Sequence, residues 1–105
     1  VTAAFRVVQE SLTNVQRHAK ATSVYIFVKQ DSDKLRIDVV DNGRGFDRQN
    51  VRPNAWGLPG MVERAAMLNG EVVIDSRPGE GTRVQLSFPH RPRSLSRALF
   101  NKIDK

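Results

Sequence analysis

Apolar residues recur at spacings of three and four from Ala3 to Ala19, where Ala4, Phe5, Val8, Leu12, Val15 and Ala19 form one stripe. That period predicts an amphipathic helix with one buried side. At about 100° per residue, Glu10, Asn14, Arg17 and His18 fall together on a second face. The period then changes. Residues 23–29 (SVYIFVK) are rich in β-branched and aromatic types, and residues 34–41 set Leu35, Ile37 and Val39 against Arg36 and Asp38, so both segments predict strands. The short polar segment from Gln30 to Asp33 joins them as an antiparallel hairpin. A loop with Gly43 and Gly45 follows, and a polar stretch interrupted by proline runs on to Trp56.

A second helix is predicted over Pro59 to Asn69, with proline in its first turn and Gly70 placed to end it; Leu58, Met61, Ala65 and Leu68 are its core positions. Residues 71–75 and 82–88 alternate again around Ser76-Arg77-Pro78-Gly79-Glu80-Gly81, a second hairpin. The order helix, hairpin, loop, helix, hairpin predicts an α+β fold: a two-layer sandwich with both helices on one face of a mixed, mainly antiparallel sheet. The helix between strands makes some parallel pairing expected. Beyond Pro89, Leu95, Ala98, Leu99, Phe100 and Ile103 recur at roughly helical spacing.

Composition narrows the class. The chain has 105 residues, the size of one domain, and no cysteine, which excludes a disulfide scaffold, a thiolate zinc site and a thiol nucleophile. No run approaches the roughly 18 apolar residues of a membrane span, and a cytoplasmic setting is expected. The net charge of +6 suggests nucleic acid at first. Its distribution argues otherwise: Arg91, Arg93, Arg97, Lys102 and Lys105 lie in the last 16 residues against one acid, Asp104. Residues 1–89 therefore form a nearly neutral body and 90–105 a basic tail. The body lacks a basic face interleaved with aromatics, so no nucleic acid is expected on it.

Several segments carry candidate chemistry. Glu10 and Asn14 stand one turn apart, and a carboxylate with an amide oxygen suits a hard cation such as magnesium; taken alone the pair also fits a solvated polar face. Arg17 and His18 continue that face with groups a polyphosphate would need. Asp41 ends an apolar strand just before Gly43 and Gly45, where a carboxylate can accept a hydrogen bond from an exocyclic amine and glycines admit a flat ring; an ordinary Asn-Gly turn has the same signature. Gly57-Leu58-Pro59-Gly60 opens the second helix, whose free N–H groups can receive an anion. Neither a P-loop nor a full dinucleotide fingerprint is present.

Taken in order, VVQESLTNVQRHAKAT, DNGRGFD, GLPGMVERAAMLNG and SRPGEGTRVQLSFP, spanning residues 7–89, resemble the asparagine box, two glycine boxes and closing hairpin of sensor histidine kinase ATP-binding catalytic domains. These belong to the GHKL (Bergerat) ATPase fold, and the subfamily resembled is the one paired with NarL/DesK-like regulators. The resemblance implies that Asn14 ligates magnesium on the ATP phosphates and that Glu10 orients water or acts as acid/base partner. Arg17 and His18 would lie at the phosphates or ribose. Asp41 would read the adenine amine, with Gly43 and Gly45 leaving room for the ring and Thr82 supporting Asp41. Residues 46–56, which include Arg48 and Arg52, would form a short ATP lid, and Gly57, Leu58 and Gly60 would offer backbone N–H groups to the phosphates. Pro59 removes one such donor. The implied partners are a dimerisation and phosphoacceptor domain of the same kinase and a NarL-type response regulator. The chain starts inside the first helix of the family's pattern, so the domain is expected to be N-terminally trimmed and cut from a longer protein, whose membrane anchoring the sequence leaves open; His18 and His90 match no acceptor, so it is expected not to phosphorylate itself. Two alternatives on the same fold are a nucleotide-binding interaction module and a serine kinase of anti-sigma type.

Overall fold

A computed structural model describes residues 2–47, 49 and 55–90. Helix α1 spans Thr2–Asn14 and runs straight into a π-helical turn, Val15–Ala19. Strands β1 (Val24–Asp31) and β2 (Lys34–Asp41) form the first hairpin. A short 3₁₀ turn, Ala55–Gly57, leads into α2 (Leu58–Met67), and β3 (Glu71–Ser76) with β4 (Thr82–Pro89) forms the second hairpin.

The sheet order is β1-β2-β4-β3, and among the described residues each hydrogen-bonded pair is antiparallel. The parallel relation implied by a helix between strands is present between β2 and β3. Because β4 slots between them, that relation never becomes a ladder. Helix α1 lies over β2 and β4, and α2 over β3 and β4, with the two helices against each other. The result is the two-layer α+β sandwich predicted from the patterning.

The core sits between the layers. Val39, Ile74, Val84, Leu86 and Phe88 rise from the strands to meet Ala4 and Val7 of α1 and Met61 and Ala65 of α2. Helix α1 faces the sheet along Ala4, Val7 and Ser11 rather than along the whole predicted stripe: Phe5 is 61% exposed. Small residues on the buried line let the helix approach closely, and Phe5, one residue or about 100° round from Ala4, points away. The Ser11 hydroxyl is satisfied inside the core by donating to the Val7 carbonyl at 2.9 Å.

Strand β1 is exposed along its whole length. It pairs with β2 but contributes no buried side chain. The face of the sheet turned away from the helices is organised in rows, one of which is Phe27, Asp38, Gln85 and Val73. Asp38 lies on this face and yet is only 2% exposed, flanked by Arg36 and Arg83 at 3.3 and 3.4 Å. At the far end of β4, His90 donates its N–H to the Asp33 carbonyl and its own carbonyl accepts from Gln30 Nε2. The apolar spacing noted between Leu95 and Ile103 lies outside the described residues.

Candidate functional site

The π-helical turn shapes the site. It replaces the i→i+4 ladder over Val15–Ala19 and ends at Lys20 in the left-handed region (φ 52°). The Ala19 carbonyl, at the end of the segment and so without a helical partner, accepts the Arg44 N–H at 2.7 Å, which ties the loop after β2 to the end of the first helical segment. A Cβ on Gly43 would collide with this same Ala19 carbonyl, and one on Gly45 (φ 62°) with the carbonyls of Arg77 and Gly81. The glycines are thus required by close approach of the chain to itself. The room for a ring expected at Gly43 and Gly45 is filled by backbone.

Between α1, the sheet and the 3₁₀ turn lies a pocket lined by Asn14, Asp41, Phe46, Trp56, Leu58 and Thr82, with core residues Val39, Ile74 and Val84 beneath. Asp41, buried at the end of β2, accepts the Gly43 N–H on Oδ1 at 2.8 Å. Its other oxygen accepts no hydrogen bond from the described residues. Thr82, beside Asp41 in the register, bonds to Ser76 at 2.8 Å rather than to the carboxylate. Ser76 Oγ accepts the Phe46 N–H at 2.9 Å and donates to the Gly81 carbonyl at 3.1 Å. With its single proton so used, the Ser76–Thr82 bond is donated by Thr82. Thr82 therefore supports the Gly81 corner and the start of the Phe46 loop.

Asn14 reaches the pocket from the last residue of α1, and its Nδ2 donates to the Trp56 carbonyl at 2.6 Å. The Trp56 ring stacks on Phe46 with centroids 4.6 Å apart and lies against His18 at 4.3 Å. Glu10 is half-buried behind Gly57, where a Cβ would stand 2.6 Å from Glu10 Oε1. Asn14, Asp41, Leu58 and Thr82 thus come together around one cavity, while Glu10 lies against Gly57 and His18 against Trp56, outside its lining. Arg17 is exposed, and Gly60 precedes the second turn of α2 with only the flexible Arg64 side chain near it. Arg48 and Arg52 lie outside the described residues.

Sequence reasoning placed Phe46 and Trp56 only as the two ends of a lid over residues 46–56 and gave no role to Ser76. Phe46 stands directly after the second glycine of DNGRG, and Trp56 directly before Gly57; adjacency to glycines that bring backbone close is the signal that marks both. Glu10 and Asn14 supply a carboxylate and an amide oxygen, a donor set that fits magnesium holding most of its ligands from phosphate and water. Two protein oxygens do not make a cage, and among the described residues no three acidic or histidine side chains cluster.

Residues 1–92 match the family described as histidine kinase-, DNA gyrase B-, and HSP90-like ATPase. The chain is 41% identical over 87 residues to the signal transduction histidine-protein kinase/phosphatase DegS of Brevibacillus brevis, covering 83% of this chain and 22% of that protein. It is 40% identical over 88 residues to the sensor histidine kinase LiaS of Bacillus subtilis, covering 84% of this chain and 24% of the relative. The chain therefore spans about a quarter of the length of these curated relatives. The ATP binding domain of PrrB from Mycobacterium tuberculosis superposes with a TM-score of 0.71 at 24% identity, over 85% of this chain and 68% of that one. The histidine kinase domain of a blue-light activated kinase from Erythrobacter litoralis gives 0.68 at 24%, over 85% of this chain and 44% of its own. Ordered motifs, a shared fold and the match over residues 1–92 agree, and the chain belongs to the histidine kinase-, DNA gyrase B- and HSP90-like ATPase family.

Proposed function

We propose that this chain is the ATP-binding catalytic part of a two-component sensor histidine kinase, and that it presents the γ-phosphoryl group of ATP to a histidine on a separate dimerisation domain. The observation that carries the reading is the convergence of Asn14 and Asp41 on one pocket from elements 27 residues apart in sequence.

In this reading Asp41 Oδ2 accepts a hydrogen bond from the adenine amine, while Oδ1 stays fixed by Gly43. Asn14 and Glu10 hold magnesium, which neutralises phosphate charge when bound. His18 and Arg17 lie on the phosphate side of the same helical segment, and the N–H groups of Gly57, Leu58 and Gly60 at the start of α2 face anionic oxygen. In the transfer the bond from the γ-phosphorus to the bridging oxygen breaks, a nitrogen–phosphorus bond forms on the acceptor imidazole, and ADP leaves. The protein contributes positioning and charge neutralisation rather than a nucleophile of its own. The phosphoryl group then passes to a response regulator of NarL type, in the cytoplasm where ATP is found. None of the described helices is long and apolar enough to cross a membrane.

The test supplies a helical fragment carrying the acceptor histidine together with this chain and γ-labelled ATP. Label on the fragment supports the reading. Binding of ATP in calorimetry without any transfer would reduce the chain to a nucleotide-binding module, and no binding at all would refute the proposal.

A further inference from the structure

Trp56 is the chain's only tryptophan and has backbone angles of φ 65° and ψ 10°. A bulky residue stays in the left-handed region only where its surroundings hold it. Here three site residues do so: Asn14 through the Trp56 carbonyl at 2.6 Å, Phe46 by stacking at an interplanar angle of 21°, and His18 by a tilted contact at 4.3 Å. The following Gly57 also has positive φ and backs onto Glu10.

This arrangement leaves a free cavity of about 10 Å³ between Asn14, Asp41 and Thr82. That is room for about one water, whereas small-molecule pockets are on the order of 300 Å³ or more. A nucleoside enters only if a wall moves. Asp41 and Thr82 are fixed in the β2–β4 ladder, and Phe46 belongs to the buried core with its N–H held by Ser76. Trp56 is half-buried, sits in a three-residue turn with unfavourable backbone angles, and is tied by one side-chain hydrogen bond and its ring contacts with Phe46 and His18 rather than by a strand ladder. It is the wall that moves at least cost.

We infer that Trp56 is a plug: in the ligand-free chain its indole fills the nucleotide pocket and its carbonyl occupies the Asn14 amide, so ATP binds only after Trp56 turns out. This rests on the ATP reading above and adds a residue that sets affinity. Apparent affinity falls by the fraction of molecules in which the plug is out, so removing the plug tightens binding.

The experiment is calorimetric titration of magnesium-ATP into the wild-type chain, Trp56→Ala and Trp56→Phe, with circular dichroism to verify that each variant is folded. Trp56→Ala is expected to bind roughly tenfold more tightly, and Trp56→Phe, which keeps an aromatic stack on Phe46, to stay near wild type. In the wild-type chain the indole emission is expected to shift to the red, saturably, as ATP binds. Equal or weaker binding by Trp56→Ala, as a wall stacking on the base would give, overturns the plug, as does unchanged emission at saturation. If neither wild type nor Trp56→Ala binds ATP, the nucleotide reading itself fails and the plug with it.

Discussion

Asp41 uses one carboxylate oxygen to hold the Gly43 N–H at 2.8 Å and has no hydrogen bond from the described residues on the other. The division gives the side chain two separable duties. The first oxygen fixes the start of the loop, and because Gly43 packs against the Ala19 carbonyl, it also fixes where the helical segment ends. In the proposed function the second is the group that meets a ligand donor.

Asp41→Asn separates the two. An asparagine oxygen still accepts from Gly43, while the pocket side offers a neutral amide that can turn a donor toward the adenine amine. The variant is expected to melt within a few degrees of wild type and to lose roughly tenfold to a hundredfold in ATP affinity, the range for losing a charge-assisted hydrogen bond of about 1.5–3 kcal/mol. Paired thermal melts and calorimetry check this. A variant with unimpaired ATP affinity would contradict the role given to Asp41.

The glycines of the second hairpin make a contrasting pair. Gly79 (φ 80°) has nothing within 4 Å of where a Cβ would stand, whereas a Cβ on Gly81 (φ 75°) would press on the Asp41 carbonyl. Gly79→Ala therefore meets only the left-handed backbone cost, about 1 kcal/mol. Gly81→Ala adds a backbone collision under the pocket and should cost about 2–3 kcal/mol or more. It should also weaken ATP binding, because it moves Asp41. Urea midpoints for the two variants distinguish the costs.

Much of this fold was legible because period and punctuation agreed: the alternation in residues 34–41 and 82–88 and the proline at the head of α2 matched the structure, whereas α2 stops at Met67 and Asn69 (φ 56°), not Gly70, takes the left-handed position that closes it. The misplacements have physical causes. Periodicity gives the direction of an apolar stripe but not how far a helix is turned against its partner, which is how Phe5 was assigned to the core and Ser11 left out. A π-helical turn depends on tertiary contacts such as Ala19 with Arg44 and leaves no mark in composition. The convergence of Asn14 and Asp41 was anticipated only through resemblance, since no local rule joins a helix end to a strand end, and Trp56 was expected only as the end of a lid, without its contacts to Asn14, Phe46 and His18.

Burial predicts a sharp difference between apolar residues of two strands. Leu86 of β4 is 1% exposed and Val28 of β1 is 64% exposed. Leu86→Ala should cost about 2–5 kcal/mol, through lost transfer energy and the cavity left behind. Val28→Ala removes apolar surface that is mostly still in water and should cost less than about 1 kcal/mol. Denaturant unfolding of both variants tests the claim that the core lies between the helices and β2, β4 and β3, with β1 outside it.

The carboxylate of Asp38 gives a test of paired charge on the open face of the sheet. Its Oδ1 has no hydrogen bond and meets Arg36 Nε at 3.3 Å, while Oδ2 meets an Arg83 terminal nitrogen at 3.4 Å. Both arginine side chains are about half exposed, so solvent screens each pair and each is worth about 1 kcal/mol or less. Arg36→Ala and Arg83→Ala should each be mild, because the remaining guanidinium still faces the buried carboxylate. The double variant leaves that carboxylate without a counter-charge, and its cost should exceed the sum of the singles by about 1 kcal/mol or more. Asp38→Asn in the double-arginine background should restore part of the loss, since a neutral amide of the same shape needs no counter-charge. Urea unfolding of the four variants at low salt completes the cycle. Strict additivity of the two arginine substitutions would show that water already solvates Asp38, against its 2% exposure.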